Sequence, residues 1–280
     1  MIKVAQFMKA HGMDAERIDL SECTKAFACA MRRGLAQQQK NMPMLPTYLY
    51  SSGKLKKGEK AIVIDAGGTN FRRALIGFDG KKAVIDCLDK RQMPGAEEPA
   101  TWNDFISVVA DCVQPLIKQT KNIGFCFSYP VEITPECDGK VLGLTKQVKI
   151  EGASGSYLGA SLRAELEKRG EQPDRIVVLN DTPATLLAGK VLSKGSYDGY
   201  IGLVAGTGCN TCCEIECDKI EKLGLSGGGK MLVNIESGSF DAFPRGDADL
   251  AMDEELPDTG EYIAEKMISG RYLGDHRKND

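Results

Sequence analysis

The chain has 280 residues, of which 42% are apolar, so it is long enough to bury a core and to form two lobes. Its 36 basic and 39 acidic residues leave a formal net charge of −3, which gives no electrostatic case for nucleic-acid binding. The first residues lack the apolar stretch of a secretory signal, and no run approaches the roughly 18 apolar residues of a membrane span, so we expect a cytoplasmic protein with reduced cysteines and no membrane partner.

The first half of the chain alternates between helical and strand patterns. Apolar residues at spacings of three and four predict the first helix, and Thr101 with Asp104 forms a capping box for the second. Gly170 predicts the end of a third helix. In chain order, the predicted elements are a helix within residues 14–40, strands at 61–65, 71–78 and 84–88, a helix from Thr101, a strand at 122–128 and a helix at 156–169.

The second half continues the alternation. After a short apolar strand, Asp181 or Thr182 caps a helix that has Pro183 at its first position. The predicted elements are a strand at 175–180, a helix ending near Gly195, a hairpin around 201–211, a strand at 230–236 and a last helix from about Thr259 to Leu273. Alternating strands and helices predict α/β lobes.

Two stretches share one pattern, IVIDAGGTNFRR at residues 62–73 and IGLVAGTGCNT at 201–211. Each is an apolar β-branched run, then a turn of Gly, Thr and Asn, then a second run. Glycine lets such a turn reach positive φ and lets a ligand approach the backbone, and consecutive backbone N–H groups suit anionic oxygens. Two such hairpins facing each other across a cleft would bind a polyphosphate, which indicates phosphoryl transfer.

Asp65 ends the first apolar strand just before Gly67 and Gly68. A carboxylate there is either an ordinary turn residue or an oxygen ligand near Mg²⁺, reached directly or through water. Taken alone, the residue supports both interpretations equally. The second hairpin favours the metal ligand.

Polar residues follow several apolar runs, and Asn180-Asp181 is the most informative pair because it lies between a strand and a helix. A helix N-terminus favours an ionised carboxylate, so Asp181 is either a helix cap or a base that needs a hydroxyl within hydrogen-bond reach. Proteins usually hold polyhydroxylated sugars with such Asn, Asp, Glu, Ser and Lys side chains, each a donor or acceptor of fixed geometry, although each position alone could be a loop residue or a helix cap. The other polar positions are SYP at 128–130, Thr145-Lys146, Asn210 and NIE at 234–236.

Two further patterns have simpler interpretations. The run GLSGGGKM at 224–231 imitates a phosphate-binding loop, but it has Met231 in place of Ser or Thr and leads into an apolar strand. Cys209, Cys212, Cys213 and Cys217 imitate a metal cluster, but they lie in a turn and on an alternating strand, where free cysteines pack as small apolar residues.

Taken in order across nearly all of the chain, the motifs resemble the hexokinase family, the actin-like-fold sugar kinases that include glucokinase. The matching segments are IDAGGTNFR (64–72), GFCFSYP (124–130), GLTK (143–146), LNDT (179–182), GLVAGTGCN (202–210), VNIESGSF (233–240) and GEYIAEKMISGRYLG (260–274). The chain departs from the family's usual residues near the sugar segment, at Tyr129, Leu144 and Ser237, without losing a proposed catalytic group.

The resemblance implies a two-lobed actin-like (ribonuclease H-like) ATPase fold of the α/β class, with a cleft between the lobes. It implies a small lobe at residues 61–180 and a large lobe formed by residues 1–60 and 181–280. Family members continue well beyond the last predicted helix, into the adenosine pocket and a final helix. We therefore expect a C-terminally truncated chain with an incomplete large lobe.

The resemblance also implies a role for individual positions. Asp181 would be the base facing the 6-hydroxyl of a hexose, Lys146 the cation near the transferring phosphoryl group, and Asp65 the Mg²⁺ residue. The residues implied to hold the sugar are Ser128, Thr145, Lys146, Asn180, Asp181, Asn210, Glu236 and Glu265. Those implied to meet the ATP phosphates are Gly67, Gly68, Thr69, Asn70, Arg72, Gly206, Thr207 and Gly208, with Asp65 acting through the metal.

The expected function is ATP-dependent phosphorylation of a hexose, most simply glucose, at the 6-hydroxyl, with ATP and Mg²⁺ as cofactors. One alternative is a non-catalytic sugar-binding or regulatory protein on the same scaffold, without a complete adenosine pocket. Another is an actin-like-fold kinase with a different acceptor.

Overall fold

A computed structural model describes residues 2–50, 56–67, 70–144, 148–193 and 197–273. The chain forms two compact units, one made of Met1–Leu45 with Tyr197–Asp280 and the other of Pro46–Ser196. We refer to them as the split unit and the continuous unit. The lobe boundaries implied by the family resemblance, near residues 60 and 180, stay a prediction.

Strands and helices alternate along the chain. The strands are β1 Leu45–Tyr50, β2 Lys60–Ala66, β3 Asn70–Phe78, β4 Ala83–Gln92, β5 Ala100–Thr101, β6 Asn122–Phe127, β7 Val131–Ile133, β8 Gly139–Val141, β9 Ile150–Glu151, β10 Arg175–Leu179, β11 Ile201–Ala205, β12 Cys209–Glu216 and β13 Lys230–Asn234. The α-helices are α1 Ile2–Ala10, α2 Leu20–Ala36, α3 Trp102–Val113, α4 Leu158–Lys168, α5 Asp181–Leu192, α6 Asp247–Glu255 and α7 Ile263–Ile268. Short 3₁₀ turns are Ala15–Arg17, Gln114–Leu116, Cys217–Lys219, Glu221–Leu223 and Ser237–Ser239.

The continuous unit is built on a five-stranded sheet in the order β10-β6-β2-β3-β4. β2, β6 and β10 run parallel, whereas β3 and β4 are antiparallel neighbours. Cys126 of β6 aligns with Asp65 of β2 on one side and with Leu179 of β10 on the other. Because parallel strands end at the same edge of a sheet, the residues that follow β2, β6 and β10 share one edge.

Aromatic and aliphatic side chains fill the core of this unit. Ile62 and Ile64 alternate along β2 and are fully buried, which is the period-two pattern expected of a strand with one covered face. The largest buried side chains in this core include Phe71, Phe105, Phe125, Phe127 and Tyr129. Trp102 lies at the start of α3, and its ring nitrogen donates to the Ser161 hydroxyl of α4 at 3.1 Å.

The capping box predicted for α3 is confirmed. The backbone N–H of Asp104 donates to the Thr101 hydroxyl at 3.2 Å, and the Thr101 N–H donates to the Asp104 carboxylate at 3.1 Å. These contacts satisfy amides that the first helical turn leaves without partners. Pro115 lies in the 3₁₀ turn that ends this helix.

The split unit contains an antiparallel sheet in which β12 pairs with both β11 and β13. Met231, Leu232 and Val233 of β13 are fully buried. Asp19 caps α2 by accepting the N–H groups of Ser21 and Glu22 at 2.8 and 3.0 Å. Strand β1 crosses the boundary between the units. None of the helices in the described part of the chain has both the length and the apolar character needed to cross a membrane.

Several predicted elements differ in detail. The helix expected from Thr259 to Leu273 is only Ile263–Ile268, because Gly260 and Tyr262 take positive φ values of 80° and 53°. Strand β13 ends at Asn234, since Glu236 is left-handed with φ of 57°. Helix α5 ends at Leu192, and Gly195 lies outside the described residues. Helices α1 and α6 were not predicted.

The N-cap of α5 is Asn180, not Asp181 or Thr182 as the sequence predicted. The Thr182 N–H donates to Asn180 Oδ1 at 3.2 Å, so the asparagine takes the capping position. Asp181 is consequently the first residue of the helix, with its side chain not used as the cap.

Candidate functional site

The shared sheet edge of the continuous unit gathers polar side chains from three strands. Asp65 lies near the end of β2, Ser128 follows β6, and Asn180 and Asp181 follow β10. The Ser128 N–H donates to the carbonyl of Ala66 at 3.1 Å, which fixes the start of its loop against the end of β2. These four predicted site residues therefore belong to one edge of one sheet.

Asp181 is a partly buried carboxylate at the beginning of α5. Burial raises its pKa above the ordinary value, and the negative charge of Asp65 acts in the same direction. The Thr182 hydroxyl donates to the carboxylate at 3.3 Å, and both this hydroxyl and that of Ser128 lower the pKa. The helix N-terminus was expected to favour the ionised form, but burial and Asp65 favour the protonated one. A carboxylate with a raised pKa and neighbouring hydroxyl donors suits proton transfer.

Asn180 is held in place by the backbone on both sides. Its Oδ1 accepts the Thr182 N–H, and its Nδ2 donates to the Phe127 carbonyl at 3.4 Å. The amide therefore links the N-terminus of α5 to the end of β6. These two hydrogen bonds fix the backbone next to Asp181.

Asp65 and Arg72 form an ion pair with a distance of 2.6 Å between Oδ2 and Nη1. They are cross-strand partners on β2 and β3, and both side chains are partly exposed. The family resemblance implied that Asp65 serves Mg²⁺ and that Arg72 meets a phosphate. The structure brings them together directly.

The first glycine turn is closed by a hydrogen bond from the Gly67 N–H to the Asn70 carbonyl at 3.0 Å. The Tyr129 hydroxyl donates to the Gly67 carbonyl at 3.1 Å. Burial raises the pKa of Tyr129 to about 12, so this hydroxyl keeps its proton and remains a donor. The predicted residues Gly68, Thr69, Thr145 and Lys146 lie outside the described residues.

The second glycine turn lies in the split unit between β11 and β12. The Gly206 N–H donates to the Gly208 carbonyl at 2.9 Å. The segment after α7 contacts the same turn through its backbone. The Gly270 N–H donates to the Gly206 carbonyl at 2.7 Å, and the Arg271 N–H donates to the Thr207 carbonyl at 3.2 Å. Two backbone contacts thus tie the end of α7 to this turn.

Glu265 of α7 reaches the base of the second turn. Its Oε2 accepts the Cys209 N–H at 2.9 Å. Burial raises the pKa of Glu265, whereas the Cys209 N–H and the charge of Arg271 act in the opposite direction. A Cβ atom added at Gly208 would lie 2.7 Å from Glu265 Oε2, so only glycine lets the carboxylate come this close.

Asn210, Asn234 and Glu236 form a cluster of amides around one carboxylate oxygen. Glu236 Oε1 accepts Nδ2 of Asn234 at 2.6 Å and Nδ2 of Asn210 at 3.0 Å. Asn210 Nδ2 also donates to Asn234 Oδ1 at 2.9 Å. The cluster lies where β12 and β13 pair, with Cys212 opposite Asn234. Its fixed donors and acceptors suit a ligand rich in hydroxyl groups.

Sequence reasoning missed two residues of the split unit. Asn234 was noted only as part of a polar run, and it contacts both Asn210 and Glu236. Arg271 is exposed beside the Thr207 carbonyl that its N–H contacts. The NIE pattern could have indicated Asn234, whereas nothing local marks Arg271, because its relation to the second turn depends on the fold.

The two alternative motifs take the simpler forms. Lys230 and Met231 begin strand β13, so the glycine-rich run before them leads into a strand and not a helix. Cys209, Cys212 and Cys217 are buried free thiols, and burial raises the pKa of Cys212 to about 12. Among the described residues, no group of three or more His, Cys, Asp or Glu side chains could hold a metal ion.

Comparison with known families gives hexokinase for both parts of the chain. One hexokinase family model matches residues 3–191, and a second matches residues 200–278. The chain is 31% identical over 274 residues to the hexokinase of Schwanniomyces occidentalis, covering 91% of this chain and 57% of that protein. It is 31% identical over 271 residues to hexokinase-1 of Schizosaccharomyces pombe, covering 91% and 55%. The chain thus spans little more than half the length of these relatives.

Solved structures of hexokinases share the fold. A hexokinase from Schistosoma mansoni complexed with glucose superposes with a TM-score of 0.75 at 24% identity, over 98% of this chain and 64% of that one. A second hexokinase crystal structure gives a TM-score of 0.69 at 22% identity, over 91% and 59%. The mixed α/β architecture is therefore the actin-like ATPase fold, as the family resemblance implied.

Proposed function

This chain belongs to the hexokinase family, and on that premise we propose that it carries the sugar site and the phosphate-binding turns of an ATP-dependent hexose kinase. The reaction is transfer of the γ-phosphoryl group of ATP to the 6-hydroxyl of a hexose, with glucose as the first candidate. The observation that carries the proposal is Asp181, a partly buried carboxylate with a raised pKa among hydroxyl donors at the start of a helix.

Asp181 acts as the general base. As the bond between the sugar oxygen and phosphorus forms, its carboxylate accepts the proton of the 6-hydroxyl. Thr182 orients that carboxylate, since its hydroxyl donates a hydrogen bond to it at 3.3 Å, and the Ser128 hydroxyl favours the ionised form. Asn180 holds the first turn of α5 against the end of β6, so the backbone position of the base is fixed.

The remaining sugar hydroxyls meet groups of both polarities. Carboxylates accept hydroxyl protons, and amides both donate and accept. Support comes from the cluster of Asn210, Asn234 and Glu236, whose polar atoms are already ordered by one another. The proposed sugar residues are Ser128, Thr145, Lys146, Asn180, Asn210, Glu236 and Glu265, with Asn234 supporting two of them.

Mg²⁺ with ATP supplies a charge-neutralised phosphoryl donor, and Asp65 has the oxygen chemistry that Mg²⁺ prefers. Its carboxylate is partly exposed and at present satisfied by Arg72. Asp65 would therefore hold the metal directly or through water, while Arg72 would be released toward a phosphate oxygen. Lys146 is proposed as the cation nearest the transferring group.

The phosphates are proposed to contact the two glycine turns. Support comes from the closing hydrogen bonds, Gly67 N–H to the Asn70 carbonyl and Gly206 N–H to the Gly208 carbonyl, because turns of this kind suit anionic oxygens. The residues proposed for this role are Gly67, Gly68, Thr69, Asn70, Gly206, Thr207 and Gly208, and Arg271 joins them because its backbone contacts Thr207.

The test is a coupled ADP-release assay on the 280-residue chain with a panel of hexoses, combined with calorimetric sugar binding. Asp181→Asn is expected to keep sugar affinity and to lower turnover by about 10²- to 10⁴-fold, the usual contribution of a positioned base. Asp174→Asn, in the loop before β10, is the matched control and should retain turnover. Full turnover in Asp181→Asn would exclude Asp181 as the base. Sugar binding without any ADP release would favour the non-catalytic alternative, and release with another acceptor would favour a different kinase.

A further inference from the structure

The residues Met42, Pro43 and Met44, which we name the MPM segment, connect α2 to β1 in an unusual conformation. Met42 and Met44 have φ values of 49° and 50°, and both side chains are fully buried. Left-handed backbone is disfavoured for residues with a Cβ, so such a conformation persists only where its surroundings impose it. The segment passes against Gly34 of α2, where an added Cβ would contact the Met42 carbonyl.

Lys222 holds this segment from the neighbouring 3₁₀ turn. Its Nζ donates to the carbonyls of Pro43 at 2.6 Å and Met44 at 2.8 Å, and to that of Gly34 at 2.7 Å. All three ammonium protons are therefore directed at backbone oxygens. Burial lowers the pKa of Lys222 to about 8, so a cation is kept here although its environment disfavours the charge.

Ser239 holds the same segment from the opposite direction. Its Oγ accepts the Met42 N–H at 2.8 Å and donates to the Glu236 carbonyl at 2.6 Å. Gln39 Nε2 donates to the Met42 carbonyl at 3.1 Å. The Met42 N–H and the three carbonyls of the MPM segment are thus each bonded to a side chain.

The hydrogen bond that the Ser239 hydroxyl donates ends at a third left-handed residue, Glu236. Glu236 has φ of 57°, and its carbonyl also accepts the Ser239 N–H at 3.0 Å. The direction of its carboxylate toward Asn210 and Asn234 depends on this turn. Lys222 is therefore connected to Glu236 by hydrogen bonds to the MPM segment, by the backbone of that segment and by the two hydrogen bonds of the Ser239 hydroxyl. All of these residues belong to the split unit.

We propose that Lys222 and Ser239 are positioning residues that act through the MPM segment to hold the left-handed turn at Glu236 and so orient its carboxylate for the sugar. This inference rests on the proposed function, in which Glu236 binds a hexose. Neither residue touches the sugar. Both raise affinity by keeping the binding conformation of the turn populated, since apparent affinity falls with the fraction of molecules in that conformation.

The experiment measures glucose binding to the 280-residue chain by calorimetry. Ser239→Ala and Lys222→Met are each expected to weaken binding by about tenfold, as follows when about a tenth of the molecules keep the turn. Ser239→Thr keeps the hydroxyl and should restore affinity. Lys219→Met removes an exposed lysine of the adjacent 3₁₀ turn, which pairs with Glu216 at the end of β12, and this variant should bind as the wild type does. Ser269→Ala removes a buried hydroxyl that has no hydrogen-bond partner among the described residues, and it is the control for Ser239→Ala.

A double variant tests whether the two residues act through one segment. The double variant Ser239→Ala, Lys222→Met should bind glucose with nearly the same affinity as the weaker-binding single variant, because either substitution alone already breaks the shared connection. Multiplied effects would mean that the two residues act independently. Unchanged affinity in both single variants would overturn the inference while leaving the proposed function intact.

Hydrogen exchange provides a measurement that does not need sugar. Lys222→Met should speed exchange of the Ser239 and Phe240 amides, which bond to Glu236 and Ser237 in the turn, whereas Lys219→Met should not. Equal exchange in the two variants would refute the connection. Absence of hexose binding by the wild-type chain would contradict the proposed function, and the exchange result would still decide whether Lys222 controls the turn. If Lys222→Met does not fold, the Ser239→Ala and Ser239→Thr pair decides the outcome.

Discussion

Asp65 and Arg72 lie opposite each other on β2 and β3 and are joined by a 2.6 Å contact between carboxylate and guanidinium. In the proposed reaction, each has a different partner in the nucleotide, the metal for one and a phosphate for the other. Binding of magnesium and ATP would replace the Asp65–Arg72 ion pair by two contacts with the nucleotide, one between Asp65 and the metal and one between Arg72 and a phosphate. The net electrostatic gain is therefore smaller than the separate contacts suggest, because the internal pair is lost.

The first prediction concerns magnesium. Asp65→Asn removes the negative charge next to the proposed metal, and we expect the Mg²⁺ concentration that half-saturates ADP release to rise about 10- to 100-fold. Asp89→Asn is the control, since Asp89 pairs with Arg91 at 2.8 Å on the same sheet and has no proposed role. The measurement is a magnesium titration at fixed ATP and hexose. An unchanged titration in Asp65→Asn would remove Asp65 from the metal site.

The second prediction concerns pH. Asp181 must be ionised to accept a proton, so kcat/KM should fall as the pH drops through its raised pKa. The charge of Asp65 raises that pKa and the Ser128 hydroxyl lowers it. Asp65→Asn at saturating Mg²⁺ should therefore move the acidic limb to lower pH, and Ser128→Ala should move it to higher pH. Shifts in the same direction would indicate that another group controls the limb.

The third prediction tests the close approach of Glu265 to the second turn. Gly208→Ala places a Cβ 2.7 Å from Glu265 Oε2 and should displace the carboxylate from the Cys209 N–H. We expect hexose affinity to fall about tenfold, in line with the loss of a charge-assisted hydrogen bond. Gly227→Ala is the control in the same unit, because an added Cβ there has nothing within 4 Å. Equal calorimetric affinities would show that Glu265 does not require this contact.

The fourth prediction separates two glycines of the continuous unit by stability. Gly189 lies within α5, and an added Cβ has no neighbour within 4 Å. Gly189→Ala should raise the free energy of unfolding by about 0.5–1 kcal/mol, because glycine disfavours a helix interior. Gly170 has φ of 80°, so Gly170→Ala should lower it by about 1–2 kcal/mol. Urea denaturation measures both changes, and the same sign for both would refute the conformational argument.

Elements specified by neighbouring residues were predictable from the sequence. The capping box of Thr101 and Asp104 needs only residues three apart, and the structure confirms it. Both glycine hairpins were also predicted, and they appear as β2 with β3 and β11 with β12. The positive φ expected of their glycines is not found at Gly67, Gly206 or Gly208. The helix expected after Thr259 was too long, because an apolar spacing pattern does not reveal the left-handed backbone at Tyr262.

The candidate site was less predictable because its contacts join distant parts of the chain. Glu265 and the Cys209 N–H are 56 positions apart, and no local pattern indicates that they meet. The Asp65–Arg72 pair depends on strand register, which the hydrophobic pattern and the turn geometry set together. Lys222 likewise meets carbonyls that lie 188, 179 and 178 positions away along the chain, and no local pattern indicates these contacts.

The contact between Glu265 and Cys209 has a thermodynamic consequence. In the proposed enzyme, the carboxylate that accepts a sugar hydroxyl also anchors the amide at the base of a phosphate-binding loop. A hexose hydroxyl that donates to the Glu265 carboxylate weakens its hydrogen bond to the Cys209 N–H and so changes the loop. A nucleotide that restricts the loop in turn changes the position of this carboxylate. Linkage makes the effect reciprocal, so whatever factor ATP applies to hexose affinity, hexose applies to ATP affinity.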